Sequence, residues 1–163
     1  MNVEITRRAF GGVALGAGFA LAVQPVAAAT IVTPADGLDA ADVEITVADR
    51  KIPGYRARPA GGKGEAVIIV TQEIFGVHEH IRDLCRRLAK AGYYAIAPDL
   101  YVRQGDPTKV EDIKTLVSTI VAKVPDDQVM SDLDFTAAFA GQEGANDAKL
   151  GITGFCWGGR IVW

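Results

Sequence analysis

The sequence predicts an α/β protein in which a helix-covered parallel sheet is led by an antiparallel hairpin. Three observations carry this. Ala66-Val67-Ile68-Ile69-Val70 is an apolar run without polar alternation, the pattern of a strand covered on both faces. Ile81, Leu84, Cys85, Leu88 and Ala89 then recur at helical spacing, opposite Arg82, Asp83, Arg86, Arg87 and Lys90. Tyr93-Tyr94-Ala95-Ile96-Ala97 follows as a second buried strand, stopped by Pro98. Strand, helix and strand in this order imply a right-handed crossover.

The remaining elements fit around this unit. Residues 30–41 are small, polar and Pro/Gly-containing, and read as a flexible lead-in. Val43, Ile45 and Val47 alternate with Glu44, Thr46 and Ala48, and Gly54-Tyr55-Arg56-Ala57-Arg58 returns after a turn, which predicts a half-exposed hairpin. Gly92 closes the first helix. Val110, Ile113, Leu116, Val117, Ile120 and Val121 predict one further amphipathic helix, and residues 132–140, after a Ser131 cap, another. Leu150-Gly151-Ile152-Thr153 is a short strand running into Gly154-Phe155-Cys156-Trp157-Gly158-Gly159. The chain stops one turn into the helix that begins there. Residues 42–163 therefore read as the N-terminal part of a longer domain, an incomplete sheet cut just after that turn.

The chain has 163 residues, 49% apolar and 23% charged, with a net charge of −3. There is no basic footprint for nucleic acid, so a small molecule is the expected partner. The start of the chain is distinct. Thr6-Arg7-Arg8-Ala9-Phe10 precedes an uncharged Gly/Ala-rich run over residues 11–23, and Ala27 and Ala29 supply small residues for a cleavage site. This is the layout of a twin-arginine signal peptide over residues 1–29. The run is shorter than the roughly 20 apolar residues of a spanning helix, so no stable membrane anchor is expected after cleavage. The expected partner in export is the twin-arginine translocase, and the expected location is periplasmic or secreted. Two cysteines, Cys85 and Cys156, are too few for a disulfide scaffold.

The chemistry concentrates at two places. Gly154-Phe155-Cys156-Trp157-Gly158 has the G-x-S-x-G nucleophile-elbow layout with Cys in the Ser position. Its glycines permit a sharp strand-to-helix turn, the helix start favours a thiolate, and the amide after the nucleophile is free for a developing oxyanion. The pentapeptide alone leaves open a small buried Cys in a Gly-rich turn. The second place is Glu73, directly beyond the first buried strand, at the sheet edge where α/β proteins hold ligands.

Together, Gln72-Glu73-Ile74-Phe75-Gly76-Val77, Ala97-Pro98-Asp99-Leu100-Tyr101-Val102-Arg103-Gln104-Gly105 and Gly154-Phe155-Cys156-Trp157-Gly158-Gly159 closely resemble the dienelactone hydrolases (carboxymethylenebutenolidases) of the α/β-hydrolase superfamily. The resemblance runs from about Val43 to the last residue. It implies an α/β-hydrolase fold and cofactor-free, metal-free cleavage of an ester or lactone through an acyl-cysteine. By it Cys156 is the nucleophile, Glu73 contacts and helps activate the thiol, and the amides of Ile74 and Trp157 form the oxyanion hole. The family pattern continues with an Asp and then a His after the nucleophile. Neither partner is found in this sequence, so the chain alone is expected to be inactive. The alternative is a non-catalytic binding protein of the same fold, or an inactive truncated product.

Other candidates read differently. His78 and His80 precede the nucleophile and are taken as structural or solvent-facing; two residues apart, they diverge and do not form a metal site. Asp99 is expected to support a turn. Cys85 is taken as a core filler, and Glu79, Asp83, Arg86, Arg87 and Lys90 as a solvated helix face. Arg103 either meets a substrate carboxylate or forms a surface ion pair.

Overall fold

The computed structural model describes residues 31–163; the signal-peptide reading of residues 1–29 lies outside them. The hairpin forms as expected: β1 (Leu38–Thr46) and β2 (Lys51–Pro59) pair antiparallel in a register that sets Val43 against Gly54 and Ile45 against Ile52. β3 (Ala66–Thr71) and β4 (Tyr94–Pro98) pair parallel, joined by α1 (Glu79–Lys90). β5 (Asn146–Gly154) lies parallel to β3 on its other side, so the sheet order is β1-β2-β4-β3-β5.

This order positions the site. The chain leaves β3 towards β4 in one direction, then crosses back to β5 in the other, so the carboxyl ends of β3 and β5 flank the point where the strand order reverses. That is the crevice where open α/β sheets bind ligands. In the register, Thr71 stands opposite Gly154. Glu73 and Cys156 each follow two residues later, just beyond the ends of these neighbouring strands, which lie about 5 Å apart where they pair.

Two apolar layers sandwich the central strands β3 and β4. Val67 and Ile69 of β3 and Tyr94 and Ile96 of β4 face one core with Leu116, Val129, Leu133 and Trp157. Val70, Ala95 and Ala97 face the other with Ile81, Cys85 and Ala89 of α1. The two-residue alternation of strands covered on both sides explains the unbroken apolar runs. Small alanines on the α1 side let that helix approach the strands.

Several sequence expectations are corrected. The single helix expected over Val110 to Val121 is not continuous: Val110 to Asp112 are non-helical after a 3-10 turn (Pro107–Lys109), a short α2 (Ile113–Thr119) follows, and a second 3-10 turn (Val121–Lys123) begins at the end of the expected span. Asp112 caps α2 through Thr115 N–H, and Ile120, with φ −115°, leaves the helical path. α3 spans Asp126–Gln142, so it begins before the expected Ser131 cap, with Pro125 at the N-cap and Asp126 and Asp127 in the first turn. Acids there complement the helix dipole, and Ser131 sits inside the helix.

The lead-in is not free either. β1 takes in Leu38 to Ala41, and the Thr33 carbonyl accepts from Arg86 Nε at 2.8 Å while its amide donates to Asp83. This segment covers part of the α1 face read as solvated. Asp83 and Arg86 are consequently buried, with Arg86 Nη1 3.2 Å from the Tyr55 hydroxyl and Arg87 Nε 2.6 Å from Asp83 Oδ2. Burial pushes the Asp83 carboxyl up, but the Thr33 bonds and the Arg87 guanidinium outweigh it and hold the group below the usual carboxylate range. Among the described residues no helix is long and apolar enough to cross a membrane.

Candidate active site

The turn from β5 into α4 (Trp157–Val162) forms the elbow that the glycine spacing predicts. Cys156 adopts φ 56° and ψ −121°, and it is the one non-glycine residue with positive φ among the described residues. Such a conformation costs on the order of 1–3 kcal/mol and persists only where the surroundings impose it. Here they do. A Cβ on Gly154 would run into the Thr71 hydroxyl and come within 2.7 Å of the Gly158 carbonyl; one on Gly158 would lie 2.6 Å from the Thr71 carbonyl oxygen. Strand, helix start and neighbouring strand therefore touch backbone to backbone, and the side chain between the glycines is pushed outward. Cys156 is exposed.

Thr71 ties the elbow down. Its buried hydroxyl lies 3.0 Å from both the Thr153 and the Gly158 carbonyl oxygens. Trp157 is buried against the Tyr101 ring, edge to face with centroids 4.9 Å apart, which anchors the residue after the cysteine. Tyr101 sits in the Asp99 turn, whose carboxylate accepts the Tyr101 amide at 2.9 Å. This is the turn role expected of Asp99. Burial, reinforced by Asp106, raises its carboxyl above the usual range although the Tyr101 amide works against this.

After β3 the backbone folds tightly. Gly76 N–H donates to the Glu73 carbonyl at 3.1 Å, with Gly76 at φ 77°. The turn carries residue 78 back to residue 73, and His78 Nε2 lies 3.0 Å from Glu73 Oε2. His78 is also the N-cap of α1, its Nδ1 accepting the His80 amide at 3.2 Å. The structural role expected for His78 is thus present, and its contact with Glu73 is an addition that no local sequence signal announced. Rings of Phe75 and His80 flank His78 at 6.0 and 6.1 Å, and Phe155 lies 6.3 Å from His80. An aromatic rim therefore joins the β3 turn to the residue preceding Cys156.

Two backbone amides complete the inventory. Neither Ile74 N–H nor Trp157 N–H donates to a protein acceptor among the described residues. Nearby, a cleft of about 140 Å³ is lined by Phe75, His78, Arg82, Asp99, Asp106 and Thr108; neither Cys156 nor Glu73 lines it.

Arg103 lies apart from this constellation. Its guanidinium is held by Asp49, at 2.6 Å from Oδ1, and by Asp132, at 2.7 Å from Oδ2. Of its two sequence readings, the ion pair is what the structure shows, a staple between the hairpin turn and α3. The Arg103 bond holds the Asp49 carboxyl well below the usual range. Cys85 is fully buried, and desolvation pushes its thiol up to about 12, in keeping with a core filler.

Comparison with known proteins identifies the family. The profile of the "Dienelactone hydrolase family" matches residues 52–163. A protein of Methylorubrum extorquens (strain AM1) named "Putative carboxymethylenebutenolidase" is 60% identical over 164 residues, covering 99% of this chain and 56% of that relative. A relative of the same name in Escherichia coli (strain K12) is 54% identical over 147 residues, covering 90% and 54%. A crystal structure from Klebsiella pneumoniae, "Putative Dienelactone Hydrolase", superimposes with a TM-score of 0.75 at 55% identity, covering 77% of this chain and 53% of that one. The chain spans about half the length of the curated relatives it matches. With a profile match over residues 52–163 and curated relatives at 54–60% identity, the chain belongs to the dienelactone hydrolase family.

Proposed function

We propose that the complete protein hydrolyses an ester or lactone with Cys156 as nucleophile. The observation that carries this reading is the backbone of Cys156, an exposed thiol in a left-handed conformation imposed by two glycine contacts. An inert cysteine needs no such conformation. In the proposed reaction Cys156 Sγ attacks the acyl carbon, and the carbonyl oxygen becomes an oxyanion received by the free amides of Ile74 and Trp157. A thioester then forms as the acyl–oxygen bond breaks. The leaving oxygen takes up a proton, water attacks the thioester, and the acid product and the thiol are released.

Glu73 is proposed to face the thiol from the end of β3 and take part in its activation. The strand register, which brings residues 73 and 156 to the same sheet edge, supports this. The proton carrier of the cycle is proposed to be a histidine, oriented by an Asp, placed after the nucleophile as in the family pattern. No histidine follows Cys156 in the 163 residues, so full turnover is proposed only for a protein that supplies one. Export by the twin-arginine route, with cleavage after Ala29, is proposed from the residue pattern of the first 29 positions.

Alkylation of Cys156 as a function of pH tests the pairing: Glu73→Gln should displace the profile relative to wild type. An unchanged profile removes Glu73 from the mechanism.

A further inference from the structure

The contact between His78 and Glu73 carries a consequence for how the carboxylate is held. A ring nitrogen that accepts a hydrogen bond carries no proton. Because Nδ1 of His78 accepts the His80 amide at 3.2 Å, the neutral ring bears its proton on Nε2, the atom 3.0 Å from Glu73 Oε2. The helix cap thus selects the tautomer that donates to the carboxylate. With Oε2 engaged, Oε1 is the oxygen without a protein partner among the described residues.

We propose that His78 is a positioning residue for Glu73, fixing through its Nε2–H which carboxylate oxygen is bonded and which is presented to the thiol and substrate. This rests on the role proposed above for Glu73. The mechanical basis is the turn through Gly76, which leaves the histidine and the carboxylate five residues apart yet in contact, with both side chains about one quarter exposed. Other groups facing the ring are His80 on the same helix, and Arg82, Asp99 and Asp106, which line the adjoining cleft with it. Arg82 is itself paired with Asp42 at 2.6 Å. Among the described residues, Glu73 is the one carboxylate within hydrogen-bond distance of His78.

Two substitutions separate the roles of the ring. Asn at position 78 reproduces the Nδ1 acceptor and keeps the cap but cannot reach Glu73; Gln reproduces the Nε2 donor and weakens the cap. Cys156 alkylation against pH and the denaturation midpoint are measured on the intact protein and on His78→Asn, His78→Gln and Glu73→Gln. His78→Asn should displace the alkylation profile in the same direction as Glu73→Gln, by a smaller several-fold change in rate, with the midpoint retained. His78→Gln should keep the wild-type profile and lower the midpoint. If Glu73→Gln moves the profile and His78→Asn does not, or if His78→Gln displaces it as far as His78→Asn, the positioning role is overturned while the Glu73 reading stands. If Glu73→Gln itself moves nothing, both fall together.

Discussion

The hydroxyl of Thr71 reaches the carbonyl oxygens of both Thr153 and Gly158 at 3.0 Å, so the last residue of β3 holds the elbow from beneath. A buried acceptor left without its donor costs about 1–3 kcal/mol. Thr71→Val should therefore lower stability by that amount and loosen the turn, whereas Thr71→Ser should retain most of both. Urea midpoints of the two variants check this, with the Cys156 alkylation rate as the local readout.

The glycines predict a harsher effect. Gly158→Ala places a methyl group within 2.6 Å of the Thr71 carbonyl oxygen, a backbone atom that cannot step aside. Overpacking of this kind costs about 1–3 kcal/mol or more, and relief requires the helix start to shift away from β3. The expected result is a clear loss of thermal stability together with a changed Cys156 environment. By contrast, Gly61→Ala meets no neighbouring atom and suffers only from its positive φ, so it should be milder.

The two cysteines should differ sharply towards an alkylating reagent. Cys85 is fully buried, with its thiol pushed up to about 12, while Cys156 is exposed. Near pH 8 a native sample should be modified at Cys156 only, and denaturant should open Cys85. Peptide mapping by mass spectrometry reads the difference.

Asp99 supplies a pH prediction with a definite sign. Burial raises its folded-state value above the unfolded one. Its favourable contribution is therefore complete below the ordinary carboxylate value of about 3.9 and is lost as pH rises through the elevated folded value. Asp99→Asn keeps an acceptor for the Tyr101 amide and removes the buried charge. The variant should be more stable than wild type at neutral pH, with the gain vanishing on acidification. Denaturation at pH 7 and near pH 3 gives the comparison.

Much of this fold is legible in the sequence because its core elements obey simple periods. β3 and β4 are unbroken apolar runs since both faces are covered, and α1 shows its stripe through Ile81, Cys85 and Ala89. Elements whose signal is polar are harder to read. The first turns of α3 carry Asp126, Asp127 and Gln128, so apolar spacing is silent there and only Pro125 followed by acids marks the start. The beginning of β5, through Asn146 and Asp147, is hidden for the same reason, and a register shift at Ala66/Val67 obscures its pairing. Asp83 and Arg86 look solvated because charge on a helix normally is; their cover comes from Thr33, some fifty residues away in sequence.

The site divides in the same manner. The elbow is written in contiguous residues, with two glycines around a cysteine. The approach of His78 to Glu73 depends on how Gly76 turns the chain, and the occupation of Arg103 on two acids far away in sequence. Pairings of that kind exist only once the chain is folded.

Trapping of the acyl intermediate bears most directly on the nucleophile. The complete protein is exposed briefly to an activated aryl ester, quenched in acid and mapped by mass spectrometry, beside Cys156→Ala. An acyl group is expected on the Cys156 peptide, disappearing in the variant along with release of the aryl alcohol. Undiminished ester cleavage by Cys156→Ala, with no adduct at residue 156 in the parent, would rule out Cys156 as the nucleophile.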